Sequence, residues 1–107
     1  MIKIIHYPKY NQITIEGHAE AAPKGEDIVC AAVSVLYHTL VTNVLHWKDQ
    51  GYLMDCRSQE RDGYAQVSYV PKSRWNHILG AITEAICVGF QGLAEEHPDH
   101  VSYTRMG

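Results

Sequence analysis

Apolar positions follow two rhythms along the chain, and the places where one gives way to the other mark out its elements. Ile2-Lys3-Ile4-Ile5-His6-Tyr7 is rich in β-branched and aromatic types, Pro8 and Asn11 supply a turn, and Gln12-Ile13-Thr14-Ile15-Glu16-Gly17 alternates with the period of a half-buried strand. That is a hairpin. Between His18 and Glu26 large apolar residues are too few to anchor the chain, and Ala21, Ala22, Pro23, Lys24 and Gly25 predict an exposed, mobile loop. From Asp27 the period changes: Val29, Val33, Leu36, Leu40, Val44 and Trp47 share one face of a helix running from Ile28 to Lys48, with Asp27 as N-cap and Gly51 just past the end. Asp62-Gly63 then sits between strand-like residues 51–59 and 63–70, a hairpin signal. Trp75, Ile78, Leu79, Ile82, Ile86, Phe90 and Leu93 form a second helical stripe that stops before Pro98, and Val101 to Thr104 suits a last short strand.

The order ββαββαβ, dominated by hairpins, predicts an α+β fold with two helices packed on one face of a mainly antiparallel sheet. At 107 residues the expectation is a single domain spanning 1–107, with room for one site. Twelve acidic against nine basic residues leave a formal charge of −3, so no basic field draws in nucleic acid. No uninterrupted apolar run reaches the roughly 18 residues a membrane span needs, and no signal peptide opens the sequence, so a cytoplasmic protein without a membrane partner is expected. Cys30, Cys56 and Cys87 are odd in number and lack a C-x-x-C pair, which fits thiols in a reducing compartment rather than disulfides or a zinc site. His38, His46, His97 and His100 show no ligand spacing, so no metal and no cofactor are expected.

Chemistry concentrates between residues 17 and 34. With Asp27 as N-cap, Cys30 takes the third helical position, where unpaired amides and the helix dipole favour a thiolate. His18 leaves a strand end, and eleven residues separate it from Cys30, enough chain to return an imidazole to the sulfur. Such a pair is the minimal unit of thiol acyl transfer. Asp27 has two possible roles, capping the helix or orienting the imidazole. The Cys30 amide, with one from the loop ahead of it, is a candidate oxyanion hole. Ser34, one turn on, either bonds its own helix backbone or stands beside the thiol. Against this stands the plainer reading that Cys is among the most buried residue types, so that Cys30, like Cys56 and Cys87, only packs.

Gly17-His18-Ala19 followed by Gly25-Glu26-Asp27-Ile28-Val29-Cys30-Ala31-Ala32-Val33-Ser34 resembles the signature of the ribosomal-processing cysteine protease family, called Prp. The resemblance implies a homodimeric α+β endopeptidase that removes a short N-terminal extension from a large-subunit ribosomal protein, the twenty-seventh of the L series. It makes His18 and Cys30 the catalytic dyad, Gly17, Asp27 and Ser34 supporting positions, and the loop between them a gate over substrate. Pro23 departs from an easily opened gate. The alternative from another class is a non-enzymatic dimeric module that binds a ribosomal protein or assembly factor, and a thiol redox sensor is a third, weakened by the lack of a nearby resolving cysteine.

Overall fold

The computed structural model describes residues 1–17 and 24–107, and the side chains of 24–27 lie outside that description. Strands β1 (Ile2–Tyr7) and β2 (Gln12–Glu16) are joined through a short 3-10 turn at Pro8–Tyr10. Asn11 closes it at φ 48°, a left-handed conformation that asparagine tolerates better than most residues. Helix α1 (Lys24–Asp49) leads to the hairpin of β3 (Leu53–Arg61) and β4 (Tyr64–Pro71), and helix α2 (Asn76–Glu96) leads to β5 (Val101–Arg105). The predicted order ββαββαβ is the observed one.

The five strands form one sheet in the order β3-β4-β2-β1-β5. Three neighbouring pairs are antiparallel; β1 and β5 run parallel, a pairing that local sequence signals do not specify. Registers such as Ile4 opposite Ile15, Ile13 opposite Val67, and Ile2 opposite Val101 align the apolar positions of four strands on one face. Both helices cover that face. Val29, Val33, Tyr37, Leu40, Val44 and Trp47 come from α1, and Leu79, Cys87 and Phe90 from α2, into one core. The helices approach closely at Gly89, where an added Cβ would lie 3.0 Å from a Leu36 methyl.

The phase of each helical stripe needs correction. On α1 the buried residue between Val33 and Leu40 is Tyr37, with Leu36 only partly buried. On α2 Ile78 and Ile82 are 52% and 37% exposed, while Thr83 and Cys87 face the sheet. A threonine inside is tolerable because its hydroxyl sits 2.6 Å from the Tyr69 hydroxyl and donates to the Leu79 carbonyl. That satisfied pair rotates α2 and turns two isoleucines outward.

The start of α1 also differs. The helix begins at Lys24, so Lys24 and Gly25 are helical rather than loop, and Asp27 is a first-turn residue rather than the N-cap. Acidic residues are favoured throughout a first turn by the exposed amides there, and a proline just ahead of a helix is compatible with its start, so Pro23-Lys24-Gly25-Glu26-Asp27 suits a helix start as well as a loop. Of the predicted mobile loop, Ala21, Ala22 and Pro23 lie outside the described residues. The other end is as expected: Gly51, at φ 80°, donates to Lys48 and Tyr52 to Trp47, the paired bonds of a Schellman cap.

By length and composition Ile28–Asp49 and Ser73–Glu96 would each suffice to cross a membrane. A criterion of uninterrupted apolar runs misses them, because Ser34, His38, Thr39 and Asn43 break the first and Glu84 the second. In this fold each turns one stripe onto the sheet.

Candidate active site

Three elements meet at the end of β2. Gly17, at φ 111°, donates its N–H to the Gly63 carbonyl at 2.9 Å, so the last described residue before His18 is tied to the turn between β3 and β4. On its other side Gly17 faces the backbone of Met1 and Ile2, where the carbonyl of Met1 occupies the space a Cβ would need. Glycine is required twice over, by dihedral and by contact.

Cys30 lies on α1, half-buried at the edge of the core, and like Cys56 and Cys87 it is a thiol rather than half of a disulfide. With the helix beginning at Lys24, Cys30 is its seventh residue, not its third. A regular α-helix then places the Cys30 amide inside the i→i−4 ladder, which removes it from the expected oxyanion hole. Dipole stabilisation of a thiolate also fades beyond the first turn. Helix position therefore does little to activate a thiol at this place. His18, with Ala19, lies outside the described residues, as does the side chain of Asp27.

Ser34 is exposed one turn beyond Cys30 and, among the described residues, makes no bond to its own helix of the kind Thr39 makes to Val35. It lines a cavity of about 190 Å³ together with Gly17, Tyr37, Glu60, Arg61 and Tyr64. Cys30, Val33, Ser34 and Tyr37 follow the i, i+3, i+4, i+7 pattern, so thiol and cavity share one helical face. At the rim, Arg61 stacks over the Tyr64 ring at 4.3 Å and His38 Nδ1 stands 4.0 Å from Glu60. The Tyr37 hydroxyl is buried in this region, and burial, reinforced by Glu60 and Tyr64, pushes it up to about 12, so the phenol stays protonated.

Sequence reasoning missed Tyr37 and the whole hairpin tip, because β3 and β4 reach Gly17 only through the strand order β4-β2. A larger hollow, about 790 Å³, opens on β3 and β4 beside Gln12, Arg57, Gln59 and Gln66, which the register puts on the sheet face away from the helices. Of the other thiols, Cys87 is buried, and burial raises it to about 11, out of the range of a nucleophile near neutrality. Among the described residues no group of His, Cys, Asp or Glu has the arrangement of a metal centre.

The sequence profile of cysteine protease Prp matches residues 1–102. The chain belongs to the cysteine protease Prp family. It is therefore a cysteine protease. SMU.848 from Streptococcus mutans is similar over 98% of this chain and 91% of its own, at 26% identity and a TM-score of 0.69. The essential ribosomal processing protease Prp from S. aureus shares the fold: in complex with a covalently linked product peptide it matches at 20% identity and a TM-score of 0.75, over 99% of this chain and all 100% of that one. Its complex with a substrate peptide matches at 18% identity and 0.71, over 98% and 97%. No curated protein matches the sequence.

Proposed function

We propose that this Prp-family protease removes the short N-terminal extension of a large-subunit ribosomal protein, the twenty-seventh of the L series, in the bacterial cytoplasm. The supporting observation is a thiol, Cys30, on the same helical face as a side-chain-sized cavity that reaches Gly17, the neighbour of His18. In this reading His18 takes the Cys30 proton, and the thiolate adds to the scissile carbonyl carbon. The C–N bond then breaks, and the leaving amine takes the proton back from the imidazolium. Water, deprotonated by His18, attacks the thioester, which releases the peptide acid and regenerates the thiol. The product peptide covalently linked in the S. aureus protein is in keeping with such a route. No metal or cofactor is needed for these steps.

The test is mass spectrometry of a synthetic peptide spanning the N-terminus of the host's ribosomal protein after incubation with the wild-type chain. A single internal cut is expected. An intact peptide at enzyme concentrations that exhaust any slow turnover would sink the assignment.

The protease is also proposed to act as a homodimer. Between Asp27 and Lys48 the sequence has no Asp, Glu, Lys or Arg, and Ile28, Val35 and Leu45 on α1 stand exposed, as do Ile78 and Val88 on α2. Apolar surface of that kind marks an interaction face. Sedimentation equilibrium should return twice the chain mass; a monomer at tens of micromolar would contradict the proposal.

A further inference from the structure

The geometry points to His6 as a proton-sensitive latch for the last strand: protonation of its buried ring undocks β5 from β1 and from α2. The latch lies at the end of the sheet opposite Gly17 and is independent of the protease reading above.

β5 is an edge strand of five residues whose ladder runs to β1 alone, the kind of element that opens before the rest of a domain. Val101 enters the core, and the other ties of the strand converge on one place. The Tyr103 hydroxyl stands 3.1 Å from His6 Nδ1 and is also hydrogen bonded to the Cys87 thiol. Arg105 donates to Glu84 at 2.8 Å, and the Met106 amide donates to the carbonyl of His6 itself. His6 is 1% exposed and follows Ile2 and Ile4 on the inward side of β1, a position that a third isoleucine would fill without a titratable group.

A neutral ring fits this setting and a charged one does not. When neutral, Nδ1 accepts the Tyr103 proton, and the Tyr103 oxygen is free to accept from Cys87. Protonation makes Nδ1 a donor, which turns the Tyr103 proton toward the Cys87 sulfur, a weak acceptor. The titratable groups around the ring are Glu84, Cys87 and His77 from α2 and Tyr103 and Arg105 from β5; β2 presents Ile13, and Lys9 and Tyr10 of the Pro8–Tyr10 turn are exposed. Burial holds the imidazole below its ordinary value, and the pull of Glu84 toward a charged ring is countered by its partner Arg105. The folded protein therefore binds fewer protons than the unfolded chain, so stability complete above about pH 6.5 is lost as pH falls below it. A cavity of about 350 Å³ beside Asn11 and Gly80 gives protons a route to the ring. Undocking relieves the charge and bares the Cys87 thiol.

Hydrogen–deuterium exchange read by mass spectrometry, corrected for the pH dependence of the chemical step, compares β5 with β4 in the wild type and in His6→Gln, which keeps a hydrogen-bonding group without a charge. Below about pH 6 the open fraction of β5 should rise about tenfold per pH unit while β4 stays protected, and His6→Gln should remove the rise. Equal opening of the two strands, no acid-driven opening of β5, or the same rise in His6→Gln would each overturn the latch. Should His6→Gln fail to fold, an NMR titration of the His6 ring in the wild type decides instead. A ring that stays neutral well below about pH 6.5 is expected, and one that titrates at or above that value overturns the proposal.

Discussion

Cys30→Ala should lower cleavage of the ribosomal-protein peptide by at least ~10³-fold while the fold survives, because removal of a nucleophile eliminates the covalent route and leaves only binding and orientation. Cys30 is half-buried at the rim of the core, so losing one sulfur costs little packing and the thermal midpoint should move by only a few degrees. His18→Ala should cost about as much, since members of a catalytic pair act as a unit and their losses do not add. Dependence on the imidazole should be strong here. Cys30 stands beyond the first turn of α1, where free amides and the dipole would otherwise have stabilised the thiolate. Rates measured on peptide by mass spectrometry, beside circular dichroism of each variant, decide the matter. A Cys30→Ala protein that cuts at the wild-type rate would remove Cys30 from the chemistry.

Gly17→Ala should be the most damaging single-methyl change in the chain. Its φ of 111° lies where side chains are rarely found, at a cost of about 1–3 kcal/mol. The new Cβ would also overlap the Met1 carbonyl, a backbone atom just ahead of β1 in the peptide unit whose Ile2 N–H is bonded to the His100 carbonyl. For a domain of this size about 2 kcal/mol corresponds to a fall of roughly 10 °C in Tm. Activity should fall further than stability, because relief of the clash moves the residue next to His18. Gly80→Ala is the control: nothing lies within 4 Å of its added Cβ in α2, so the exchange should leave Tm level or raise it, by up to ~1 kcal/mol of helix propensity. Equal Tm for the two variants would contradict the argument.

The elements were legible in the sequence because their apolar periods are long and their stops are marked by residues with one physical use, such as Gly51 in the Schellman cap. The dyad candidates were legible only through the signature at residues 17–34, since a His and a Cys twelve positions apart carry no geometric message. Where α1 begins was not legible: Asp27 fits an N-cap and a first turn equally, and only the folded backbone separates the two. The phase of α2 was obscured because hydropathy ranks Ile82 above Thr83, whereas the Tyr69 hydroxyl across the core makes Thr83 the better inward residue. Long-range pairing lay furthest from view. Neither the parallel partner of β1 nor the arrival of Glu60, Arg61 and Tyr64 beside Ser34 follows from any local pattern.

Turns between hairpin strands are ordinarily where chains tolerate added or lost residues. The Asp62-Gly63 turn is different, because its glycine carbonyl receives the Gly17 amide. Insertions there would withdraw an acceptor from the strand end that precedes His18. In related sequences the length of this turn should therefore vary as little as that of a core strand, although it sits at the surface.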